Sequence, residues 1–81
     1  MRIAHAEQKL MHITMKLIGQ NINSARRSRN YTLKKLSRLT GITIENLDRY
    51  ELGRAINIEI PVLMRISTAL DINLEKLMAN L

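Results

Sequence analysis

Along the first third of the chain, apolar positions recur three and four residues apart. Ile3, Ala6, Leu10, Ile13 and Leu17 fall on one stripe of a helix, and Met11, Met15, Ile18 and Ile22 form a second stripe beside it. That helix is apolar over a broad arc up to Gly19. A further helix is expected from about Ile18 to Arg29, burying Ile22 and Ala25 and leaving Gln20, Asn21 and Arg27 outside.

Asn30 and Tyr31 read as a turn. Thr32 follows as an N-cap, whose hydroxyl can take up a free amide at a helix start. The helix "LKKLSRLT" buries Leu36, together with Leu33 or Thr40, and Gly41 ends it in the left-handed conformation. Thr43 caps the next helix, with Leu47 and Tyr50 on its inner side, and Gly53 stops it. After the loop "RAINIE", Ile60, Leu63, Ile66 and Leu70 repeat at helical spacing, with Pro61 in the first turn, where no amide partner is lost. Asn73 caps a last short helix whose Leu74, Leu77 and Leu81 are expected to pack back. The pattern predicts an all-α bundle without linker, repeat or low-complexity segment.

Composition narrows the function. The 81 residues make one domain with a modest core, for which a partner subunit would add stability. Aromatics are 2% of the chain, so the core is aliphatic, which argues against a sheet that stacks bases on aromatic side chains. With no cysteine there is neither a disulfide framework nor a cysteine-ligated zinc. His5 and His12 have no third ligand at a useful spacing, and no histidine stands near the serines or carboxylates in sequence. Neither a metal, a cofactor nor an enzyme is expected. Charged and polar residues interrupt every apolar run near the amino terminus, which rules out a secretory signal, and no segment is long enough to span a membrane. A cytoplasmic protein is expected.

Charge is unevenly placed. Between Gln8 and Ile44 there is no acidic residue, while Lys9, Lys16, Arg26, Arg27, Arg29, Lys34, Lys35 and Arg38 fall there. From Thr43 onward acids outnumber bases. Such a division suits one face to a polyanion, the alternative being a merely solvated basic surface.

The stretches "IGQNINSARRSRNYTLKKLSRLTGITIENLDRYELGR" and "LMRISTALDINLEKLM" resemble the phage repressor and Cro family of helix-turn-helix proteins. The resemblance spans about Ile18 to Met78. It implies a five-helix repressor-like domain over residues 18–81, with an extra amphipathic helix over residues 1–17. It also implies that Ser37 is the small residue that lets the reading helix pack close, and that Arg26 and Glu51 form a buried salt bridge. Leu33 departs from the glutamine that often binds a phosphate oxygen at the start of helix two, and Asp71 replaces a helix-ending glycine.

By the same resemblance, Thr43, Ile44, Glu45, Asn46 and Arg49 are expected to face the DNA major groove, where every base pair shows a distinct pattern. Ile44 would meet a thymine methyl or simply lie exposed. Glu45 would accept from a cytosine amino group or only favour the helix dipole. Thr32, Lys34, Lys35, Arg38 and Arg54 are expected on phosphates. The implied partners are double-stranded DNA and a second copy of the chain, on half-sites about one DNA turn apart. The function expected is a dimeric bacterial or phage repressor. The alternatives are the antitoxin of a toxin–antitoxin pair, with a toxin as further partner, and a protein-interaction module whose acidic reading helix meets a basic protein. Attachment to a membrane surface is not expected, because the amino-terminal helix has few basic residues.

Overall fold

The computed structural model describes the backbone of residues 5–81 and the side chains from Gln8 onward. Ile3 and the side chains of His5 and Ala6 therefore lie outside the described residues. Five helices follow one another: α1 (His5–Ser28), α2 (Leu33–Thr40), α3 (Ile44–Glu51), α4 (Ile60–Ala69) and α5 (Leu74–Leu77), with no strand among the described residues.

Three of the five helices start at the polar caps legible in the sequence. The Thr32, Thr43 and Asn73 side chains accept from the backbone N–H of Lys35, Asn46 and Lys76. Each bond satisfies one of the free donors of a first turn. Pro61 sits in the first turn of α4. Gly41 closes α2 at φ 75°, and its N–H donates to the Ser37 carbonyl.

Ile18 and Ile22 of α1 meet Leu36 of α2, Leu47 of α3, Leu63, Ile66 and Leu70 around α4, and Leu77 of α5 in one aliphatic core. α1 packs on α3 and α5, and α4 on α2 and α5. The side chain of Asn21, expected outside, is half-buried and donates to the carbonyls of Leu77 and Ala79 at 2.9 Å each. It ties α1 to the end of α5.

The break expected at Gly19 does not occur. α1 runs through it as one helix of 24 residues, so the amino-terminal segment extends α1 instead of standing apart. Gly19 is buried, and a Cβ built there would overlap the Tyr50 carbonyl oxygen and stand 2.9 Å from that of Glu51. Its missing side chain admits the end of α3; it does not interrupt α1.

Two other apolar residues lie elsewhere than expected. Ile60 and Leu81 are exposed, and Ile58, two residues before α4, is buried instead of Ile60. The stripe on the extension is likewise open to solvent at Leu10, Met11 and Ile13.

Candidate nucleic-acid interface

The amino end of α3 is held by its turn and by one anchor. Leu47 is fully buried, which fixes which way the helix faces. In the turn before it, the Thr40 hydroxyl donates to the Leu36 carbonyl and accepts from the Ile42 N–H, while the Ser37 hydroxyl donates to the Ile42 carbonyl at 2.6 Å. Ser37 is thus more than a small residue under α3: its hydroxyl sets the turn.

This leaves Thr43, Ile44, Glu45, Asp48 and Arg49 exposed and Asn46 half-buried. The Arg49 guanidinium donates to the Asn46 side-chain oxygen at 3.4 Å, so the two outer polar residues of the helix are already paired loosely. Glu45 lies in the first turn, where the helix dipole favours a negative charge.

Glu51 points the other way. Its carboxylate is 5% exposed and accepts two bonds from the Arg26 guanidinium, at 2.7 and 2.9 Å, and one from the Asn23 amide at 2.6 Å. A third guanidinium bond, at 2.7 Å, goes to the Tyr31 carbonyl. Arg26 is held above its ordinary pKa by the hydrogen bond to Glu51 and by Coulomb attraction to Glu51 and Asp48, with burial opposing. This bidentate pair staples α1 to the end of α3 and to the turn before α2.

On α2, Lys34, Lys35 and Arg38 are exposed together with the cap Thr32, and no acid accompanies them. The Lys35 ammonium lies 5.6 Å from the centre of the Tyr31 ring, within cation–π range. α2 packs against α3.

Arg54 stands in the loop just after α3. Its N–H donates to the Arg49 carbonyl at the far end of α3, and its side chain shares a groove with His12 and Lys16 of α1. The sequence offered no sign of this grouping. It depends on Gly53, which at φ 70° passes so close to Lys16 that a Cβ would stand 2.8 Å from the lysine Cα.

Among the described residues no group of histidines and carboxylates is placed to hold a metal ion, and no helix is long and apolar enough to cross a membrane.

Comparison with known families gives a match to the helix-turn-helix domain over residues 19–80. The chain belongs to that family. Its fold is similar to the crystal structure of the restriction-modification controller protein C.AhdI from Aeromonas hydrophila, with a TM-score of 0.74 and 24% identity over 78% of this chain and 94% of that one. Comparison with curated proteins finds no match. The helix-turn-helix match begins at Gly19, so most of the first half of α1 lies outside it.

Proposed function

We propose that this helix-turn-helix protein is a DNA-binding regulator of transcription in the cytoplasm, a dimeric repressor that reads a specific sequence with α3 in the major groove. It acts by binding and catalyses no reaction. The observation that carries the reading is the amino end of α3: Ile44, Glu45 and Asn46 are held outward by a buried Leu47, beside an α2 that carries three exposed cations and no acid. Phosphate contacts from α2 would set register and supply affinity, while the side chains of α3 would choose sequence. Selection of bound sequences from a random double-stranded pool tests the whole reading. A recovered palindrome establishes sequence choice and two-fold binding together. Failure to enrich any sequence at modest salt overturns it in favour of a protein partner for α3.

Binding should weaken steeply with salt, because phosphate contacts release counterions. Changing Lys34 and Lys35 together to alanine is expected to lower affinity on all sequences alike and to flatten the slope of log K against log salt by about two. An unchanged slope in a salt titration would mean that α2 does not lie on the backbone.

Glu45 gives the finer test. A carboxylate can only accept, and in the major groove it suits the cytosine amino group, whereas glutamine suits adenine by two bonds. Glu45→Gln is therefore expected to alter preference at one base pair of each half-site, by about 1–3 kcal/mol. If selection instead returns the parent sequence, bound more tightly throughout, Glu45 is only a repelling charge near phosphate.

A further inference from the structure

Ile56 is the most exposed large apolar residue described, at 84%, and it stands on the loop between α3 and α4. It lies at the edge of a groove of about 560 Å³ between that loop and the first half of α1. Met11 and Leu52, each about half exposed, give the groove apolar lining, and Lys16 and Arg54 bring positive charge to it. We propose that this patch is where a second copy of the chain docks, each copy placing its Ile56 in the groove of the other.

Three features select a second copy as the occupant. Knob and hole lie on the same patch, as an isologous two-fold contact requires, because each surface must complement itself. The charges also match: Glu59, exposed three residues after Ile56, would travel with it toward Lys16 and Arg54 of the other copy. Finally, the loop directly follows α3, so pairing here joins the two reading helices through a short connection. One wall of the groove is the part of α1 that precedes the helix-turn-helix match, which gives that extension a role. A second apolar groove, between Leu39 of α2 and Met64 of α4, offers a hole but no comparably projecting side chain.

The inference rests on the dimeric part of the proposed function, and sedimentation without DNA tests it separately. Ile56→Glu changes a solvent-facing residue and should leave the far-UV spectrum of the parent, while the melting temperature loses only its dependence on protein concentration. It is expected to raise the dimer dissociation constant by roughly 30-fold or more, as loss of a central apolar contact does. Met64→Glu should leave the dimer intact. The chain has no cysteine, so Met11→Cys and Ile56→Cys, prepared separately, mixed and oxidised, should give a covalent dimer that contains one of each. A mixture of Leu39→Cys and Met64→Cys should not. If the second mixture cross-links and the first does not, or if Ile56→Glu stays dimeric, the contact lies elsewhere and the proposal falls. A parent that sediments as a monomer also overturns it, even if that monomer selects a DNA sequence. A cross-linking dimer that selects no DNA sequence upholds this interface while the DNA-reading proposal fails.

Discussion

Arg26→Ala is expected to lower stability by about 3–5 kcal/mol, since it leaves a buried carboxylate without its counter-charge. The Glu51 side chain is 5% exposed, and removal of Arg26 leaves it only the Asn23 amide as a hydrogen-bond partner. The Tyr31 carbonyl loses its guanidinium bond as well. Against the 5–15 kcal/mol by which native proteins are stable, such a loss is a large share. Thermal melting would show it as a drop of more than about 12 °C, at 4–8 °C per kcal/mol for a domain of this size. The reason is an orphaned charge, so removing the charge should restore stability. Arg26→Met combined with Glu51→Leu is expected to recover most of the loss, because an apolar pair of similar volume replaces a buried ion pair at little cost. A single variant as stable as the parent would show that the pair does not hold α1 to α3.

Gly19→Ala is expected to destabilise too, against the usual trend for a helix interior. Alanine at an unconstrained position of α1 would gain roughly 1 kcal/mol over glycine. At Gly19 the added methyl meets the backbone carbonyls of Tyr50 and Glu51, which cannot rotate away as a side chain could. Overpacking of this kind costs on the order of 3 kcal/mol, so a net loss of about 2 kcal/mol remains. The end of α3 must shift to accommodate it, and with it the Glu51 carboxylate that Arg26 holds. Gly41→Ala is the useful comparison, because nothing lies within 4 Å of a Cβ there and only the left-handed backbone is strained. A melting temperature that rises in Gly19→Ala would mean that the approach of α3 is looser than described.

Both variants touch the same seam between α1 and α3, and the seam was only half legible. Arg26 and Glu51 are 25 positions apart, and nothing in their local sequence pairs them. The family resemblance joined them, and the structure bears that out with two bonds. Gly19 was misread. Between two apolar runs a glycine reads as a helix end, because local propensity knows only the residue's own backbone. What makes it necessary is a carbonyl from a helix more than thirty residues later.

The candidate interface divides along the same line. Which residues begin α2 and α3, and that Leu47 turns inward, follow from caps and spacing, which are local. That Ile44, Glu45 and Asn46 stand clear of the core follows from that anchor. The grouping of Arg54 with His12 and Lys16 does not, since it needs Gly53 to bring the loop against α1.

By itself the sequence determined the helix starts, most of the aliphatic core and the basic first half of the chain, because capping bonds, helical spacing and charge act within a few residues. Only the tertiary structure decided that α1 is a single helix, that Asn21 clasps the end of α5, and that Ile58 and not Ile60 fills the core. It also decided that Ile56 stands out beside a groove. These depend on where another segment arrives, and such an arrival is fixed by the packing of the whole molecule, not by any one stretch of it.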